Sequence, residues 1–243
     1  GSFMALLKKG DHLLSCNAVF GSTHTVISKY LPKYGIDFSY VGTNATEAEW
    51  EAAITPNTKM IYLESPTNPG LDILDIAMIS RVAKKHNIIL NVDNCFATPI
   101  GQTPIDLGAD LVVHSATKWI DGQGRVLGGA VVGRKDLIHE IYLFCRSTGP
   151  SMSPFNAWVL SKSLETLEVR MDRHCSNAQY IAEKLEGNDK INFVKYPFLT
   201  SHPQHAIAKA QMKNGGGIVC FELKGGLEAG RKFLNQIKML SLT

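Results

Sequence analysis

Two hydroxyl residues and a lysine, Ser115-Ala116-Thr117-Lys118, stand directly after the apolar run Asp110-Leu111-Val112-Val113-His114. Such a run reads as a buried strand, and in an open α/β sheet ligands gather beyond the carboxyl ends of the strands. A lysine amine held there, partly desolvated, can form a Schiff base with a carbonyl-bearing cofactor. A second run, Asn87-Ile88-Ile89-Leu90-Asn91-Val92-Asp93, ends in an acid before Asn94, Cys95 and Phe96, which places a carboxylate on the same rim. An electron-sink aldehyde needs a lysine, a carboxylate that keeps its ring nitrogen protonated, and donors for its phosphate. Lys118, Asp93, Ser115 and Thr117 supply that set.

Each residue taken singly has a plainer use. A lysine after a strand is usually solvated, and a strand-end aspartate more often caps the next helix. A third element changes the balance: Lys59-Met60-Ile61-Tyr62-Leu63-Glu64-Ser65-Pro66-Thr67-Asn68-Pro69-Gly70, a strand breaking into a stiff polar loop. Alone it reads as a turn, for which Pro, Asn and Gly are the expected residues. Beside the other two segments, Asn68 can donate to a cofactor's ring oxygen.

With these segments in view, the chain resembles the pyridoxal-phosphate-dependent enzymes of cysteine and methionine metabolism. The resemblance runs over essentially the whole length. It is carried by Glu64-Ser65-Pro66-Thr67-Asn68-Pro69, Val92-Asp93-Asn94, Leu107-Gly108-Ala109-Asp110 through Lys118, and Arg170-Met171-Asp172-Arg173-His174-Cys175. Within the family, Lys118 to Gly129, Ser147-Thr148-Gly149-Pro150 and Phe155-Asn156-Ala157-Trp158 look most like the O-succinylhomoserine sulfhydrylase branch, as does Val19-Phe20-Gly21-Ser22. In the lyases and cystathionine enzymes the position of Phe20 is usually a tyrosine. Phe20 can stack on a ring but cannot transfer a proton.

The resemblance implies an aspartate-aminotransferase-like (type I) α/β fold. Its large domain would be mostly parallel and doubly wound, over residues 1–168, and residues 169–243 would begin a smaller α/β domain. It implies pyridoxal 5'-phosphate bonded to Lys118, with Asp93 on the ring nitrogen, Phe20 on the ring face, Ser115 and Thr117 on the phosphate and Asn68 on the ring oxygen. The implied reaction replaces the acyl group of an O-acyl-L-homoserine, most of all the O-succinyl ester, with sulfide to give homocysteine. Methionine γ-lyase and cystathionine γ-synthase or lyase chemistry use the same residues and remain alternatives, as does a non-catalytic fragment that keeps the fold. A homo-oligomer, a dimer of dimers with sites completed by a neighbouring subunit, is also implied. Arg125 is a further candidate, because a guanidinium matches the carboxylate of a succinyl leaving group.

Composition bounds the alternatives. Of 243 residues 44% are hydrophobic, enough for a sizeable core, and the formal net charge is only +3 with no basic stripe, so a nucleic-acid surface has little support. Cys16, Cys95, Cys145, Cys175 and Cys220 are odd in number and widely spaced, with no Cys-x-x-Cys pair, which fits a reducing cytoplasm. No apolar stretch approaches the ~20 residues that span a bilayer, and no signal-like segment opens the chain. Both ends look cut: the start reads as the inside of a helix, and no closing element precedes Leu242-Thr243. Gly122, Gly124, Gly128 and Gly129 miss dinucleotide-binding spacing and read instead as tight backbone beside the site. His114, His174, His202 and His205 have no metal-ligand spacing.

The elements that must position these groups alternate between strands and amphipathic helices from Asp11 to Gly133, which is the βαβ signature. Strands are expected near His12–Cys16, Phe38–Val41, Met60–Leu63, Ile88–Asp93, Leu111–Ser115 and Leu127–Val132, with a helix after Leu74 capped by Asp75. Ser153-Pro154 opens what reads as one long helix, buried along Leu160, Leu164, Leu167, Met171, Cys175, Ala178, Ala182 and Leu185. Strands near Asn192–Tyr196 and Ile218–Leu223 and a helix near Leu227–Leu240 follow.

Overall fold

A computed structural model describes residues 1–240; Leu242 and Thr243, where the sequence reading finds no closing element, lie outside them. A short helix α1 (Ser2–Leu6) precedes β1 (His12–Cys16). Helix α2 (Gly21–Thr25) runs through a π turn at Val26–Tyr30 and a 3-10 turn at Leu31–Tyr34 into β2 (Asp37–Val41). Then come α3 (Glu47–Ala52), β3 (Thr58–Glu64), α4 (Ile76–Lys85), β4 (Ile89–Asp93), α5 (Thr98–Gly101), β5 (Leu111–Ser115) and β6 (Gly129–Gly133). These six strands form one sheet in the order β2-β1-β3-β4-β5-β6, parallel except for β6, which runs antiparallel to β5.

The central strands are apolar nearly end to end because helices cover both faces. On one face Leu14, Ile61, Leu63, Leu90 and Val92 pack against Ile76, Ile79 and Val82 of α4; on the other, Leu13, Met60 and Tyr62 pack with Ile27 and Leu31. Helix α4 begins where Asp75 accepts the Met78 N–H at 2.8 Å, a cap contributing about 1 kcal/mol.

The second half of the chain contains α6 (Lys135–Thr148), α7 (Pro154–Leu164), α8 (Leu167–Leu185), β7 (Ile191–Lys195), α9 (His205–Gln211), β8 (Cys220–Leu223) and α10 (Gly226–Gln236). β7 and β8 form a separate antiparallel pair. The expected single long helix is two helices. Ser153 does cap the first, accepting the Asn156 N–H at 3.1 Å, but Thr166 (φ −114°, ψ 5°) breaks the run. The break turns the stripe out of phase, so Leu164 is 51% exposed while Leu160, Leu167, Met171, Cys175, Ala178 and Ala182 are buried. No described helix is long and apolar enough to cross a membrane.

Candidate active site at the carboxyl rim of the sheet

Three strands end side by side. The register of β3 on β4 places Glu64 opposite Asp93, and β4 on β5 places Asp93 opposite Val113, two residues before Ser115. Parallel pairing therefore brings the segments that end in Glu64, Asp93 and Ser115 to a single rim, as βαβ topology requires.

Asp93 is held by two donors: the Cys95 N–H reaches Oδ1 at 2.9 Å and the Tyr62 hydroxyl reaches Oδ2 at 3.1 Å. Burial nevertheless raises its pKa above the ordinary carboxylate value. Glu64, only 4% exposed, accepts the Phe20 N–H at 2.8 Å through Oε2, and the Asn68 N–H also faces it. Burial first, and the Asp93 charge second, push Glu64 up to about 8. Among the described residues neither acid has a lysine, arginine or histidine in salt-bridge contact. Buried carboxyls are normally paired, so two adjacent ones without a cation call for an explanation.

Lys118 lies in the turn that follows β5, where its N–H bonds to the Ser115 carbonyl at 3.1 Å and its carbonyl accepts the Gly122 N–H at 2.7 Å. Its side chain is exposed. Cys95 feels the charges of both Asp93 and Lys118 and points its Sγ at the Ser115 carbonyl, 3.7 Å away. That thiol is pushed up to about 12, chiefly by burial, and is no nucleophile at neutral pH. The Thr117 hydroxyl exchanges hydrogen bonds with the Gly128 backbone at 3.1 and 3.2 Å. Ser115 is half-buried with no hydroxyl bond among the described residues. Phe20 sits at the start of α2 with its ring 49% exposed, and Asn68 is half-buried in its loop.

The lysine turn is braced from a distance. Arg170 of α8 donates to the Trp119 carbonyl at 2.7 Å, the Ile120 carbonyl at 3.2 Å and the Ser163 carbonyl at 2.9 Å. Asp121, fully buried, binds Arg125 Nε at 3.0 Å, and Arg125 Nη2 reaches the Ser163 hydroxyl at 2.6 Å. This corrects the sequence expectation for Arg125: its guanidinium is committed to the turn rather than free for a leaving group. Gly122 and Gly128 are glycines for the same reason. A Cβ at Gly122 would strike the Arg170 guanidinium, and one at Gly128 would lie 2.7 Å from Leu160 Cδ1. The sequence reading singled out neither Asp121 nor the bracing role of Arg170, and it gave Glu64 no role. Arg170 reaches carbonyls 50 and 51 residues away and Glu64 a backbone N–H 44 residues away, so no local spacing announces those two; the Asp121–Arg125 pair, four residues apart, was the one signal the sequence did offer.

The profile of the Cys/Met metabolism PLP-dependent enzymes matches residues 1–243. The chain belongs to that family. It is 46% identical over 240 residues to an O-succinylhomoserine sulfhydrylase of Pseudomonas aeruginosa, covering 99% of this chain and 59% of that protein. Over 239 residues it is 44% identical to an L-methionine gamma-lyase of Porphyromonas gingivalis, covering 97% of this chain and 60% of that protein. Among solved structures, metB from Corynebacterium glutamicum superposes with a TM-score of 0.95 at 41% identity, over 99% of this chain and 63% of that one. The chain thus spans about three-fifths of the length of these relatives. The fold is that of the family, an α/β architecture around a mostly parallel sheet, and the family's cofactor is pyridoxal phosphate. The residues at the rim fit that group: two buried carboxyls lack a cation that a protonated ring nitrogen would bring, beside a lysine whose amine has no partner among the described residues.

Proposed function

We propose that the protein replaces the acyl group of an O-acyl-L-homoserine, the O-succinyl ester first among them, with sulfide to form homocysteine. The relative at 46% identity and a second at 44%, from Mycobacterium tuberculosis, are both O-succinylhomoserine sulfhydrylases. The observation that carries the reading is Phe20, an exposed ring fixed at the rim by its own N–H and lacking a hydroxyl. It can cover the face of a planar cofactor without adding an acid to the chemistry.

Pyridoxal phosphate supplies an electron sink conjugated to the substrate's Cα. Lys118 would hold it through the amine, and that amine, when free, would carry protons between the substrate's Cα and Cβ as general base. Asp93 keeps the ring nitrogen protonated, with Tyr62 and the Cys95 N–H fixing the carboxylate's direction. Ser115 would hold the phosphate, Thr117 shapes the turn through Gly128 and would donate to the phosphate by turning its one hydroxyl proton away from the Gly128 carbonyl, and Asn68 would hold the ring oxygen. In this reading residues 1–168 form the cofactor-binding domain and 169–243 begin the smaller one. Exposed Leu127, Phe155 and Trp158 offer apolar surface for a subunit contact, for which the family resemblance implies a dimer of dimers, and five free cysteines suit the cytoplasm.

The second reading, methionine γ-elimination, is favoured by gamma-lyase relatives at 39 to 44% identity. One assay separates the two. With O-succinylhomoserine and sulfide the expected product is homocysteine; 2-oxobutanoate as the main product, or turnover of methionine at a comparable rate, would replace the first reading by the second. Cofactor uptake without turnover of any homoserine ester would favour the non-catalytic alternative.

A further inference from the structure

We infer that Glu64 is a positioning residue for the cofactor site, a carboxyl that fixes Phe20 against the sheet rim and sets its ring over the space in front of Asp93. The inference deepens the reading proposed above and rests on it. Three observations lead there. Glu64 ends β3 in register with Asp93, so the two acids occupy neighbouring places on one rim. Its Oε2 takes the Phe20 N–H at 2.8 Å across 44 residues of sequence, making it one of the side chains that tie the start of α2 to the central strands, beside the Thr23–Tyr62 hydrogen bond. The Asn68 N–H faces the same carboxyl from the loop that follows β3, so the segments assigned to the ring face and the ring oxygen converge on one group.

A purely structural acceptor for a backbone N–H needs no charge. Burying a carboxyl beside a second carboxyl costs free energy that its two backbone hydrogen bonds do not offset. That arrangement makes sense if a cation arrives between the acids, and a protonated ring nitrogen at Asp93 is such a cation. Glu64 then does two things at once. It holds Phe20 where its ring covers the cofactor, and, ionised only once that cation is present, it adds to the negative field that favours the protonated ring.

The test uses the full-length protein stripped of cofactor and titrated with pyridoxal phosphate, following the visible absorbance and the visible circular dichroism that reports ring orientation. Glu64→Ala is expected to weaken uptake about 10- to 100-fold and to diminish the dichroic band. Glu64→Gln, which keeps an acceptor, should recover most of the dichroism and part of the affinity. In a Phe20→Ala background there is no ring to set, so Glu64→Ala should cost only roughly threefold more. Should Glu64→Ala fail to fold, Glu64→Asp, one methylene short of Phe20, is expected to show the same losses. Unchanged affinity and dichroism in a folded Glu64→Ala or Glu64→Asp protein, or an equal loss with and without the Phe20 ring, would overturn the inference. Failure of the unsubstituted protein to take up pyridoxal phosphate would instead overturn the site assignment beneath it.

Discussion

The two ends of the six-stranded sheet treat charge in opposite ways. At the amino end of the central strands Asp110 and Asp11 are both answered. Asp110 accepts the Leu90 N–H at 2.9 Å and pairs with Arg134 at 3.0 Å, Asp11 accepts the Lys8 N–H at 2.9 Å, and His12 shares a 2.8 Å bond with Thr58. At the carboxyl end Glu64 and Asp93 face each other without a cation, and both hold their protons to higher pH than ordinary carboxyls. Shape would point the other way, since a cleft of about 560 Å³ opens at the amino end between Lys59, Lys84, Asp110 and Arg134. Buried carboxyls without a cation, and not concavity, mark the end proposed for the chemistry, because they are what a stable fold would otherwise remove.

The sharpest way to break this contrast is to remove the proposed reactive amine. Lys118→Ala should cut turnover about 10³-fold or more and abolish the visible imine band; a retained band would move the site elsewhere. Asp93→Asn should follow with a loss of about 100-fold in turnover, because an amide cannot hold the ring nitrogen's proton, while uptake is weakened rather than lost. At the opposite end, Asp110→Ala should leave the spectrum of the bound cofactor unchanged and cost about 1–3 kcal/mol in denaturant unfolding, since the Leu90 N–H and Arg134 lose their acceptor. A spectral change there would mean that the two ends are not separable.

The smallest effects appear in the pH dependence of cofactor-free stability. Folded protein keeps the Glu64 proton up to about pH 8, against an ordinary value of 4.5. Unfolding therefore releases a proton between those limits, and the stability that Glu64 contributes at low pH is lost as pH rises through them. Glu64→Gln should flatten that decline. His114, buried on β5 and pushed down to about 4 from 6.5 by burial, has the opposite sign. Its contribution is present above pH 6.5 and is lost as pH falls toward 4, so His114→Gln should flatten the acid limb. Unfolding free energies measured across pH 4 to 9 would check both.

Much of the frame was readable from residue order. The expected strand at His12–Cys16 and the one at Leu111–Ser115 match the observed bounds, and the others differ by a few residues at their ends. These are short β-branched or leucine-rich runs that need two covered faces, and their pattern says so. The broken helix was not readable, because Glu165 and Thr166 are ordinary helix residues by type and the apolar spacing continues across them. What stops the helix is the demand on Ser163, whose carbonyl accepts from Arg170 and whose hydroxyl accepts from Arg125. The anchoring of Phe20 on Glu64 was hidden for a similar reason.

Residue types and their order along the chain were enough to specify the alternation of strands and helices, and to set an aspartate at one strand end and a lysine and a loop asparagine just past two others. Periodicity and punctuation are local properties, and a parallel sheet delivers strand ends to one rim whatever their separation in sequence. Folding added what proximity creates: the mutual field of Glu64 and Asp93, the bond from Phe20 to Glu64, and the brace of Arg170 and Asp121 on the lysine turn. Electrostatic coupling and burial depend on distances between segments 29 to 51 residues apart, and those distances exist only once the layers have packed.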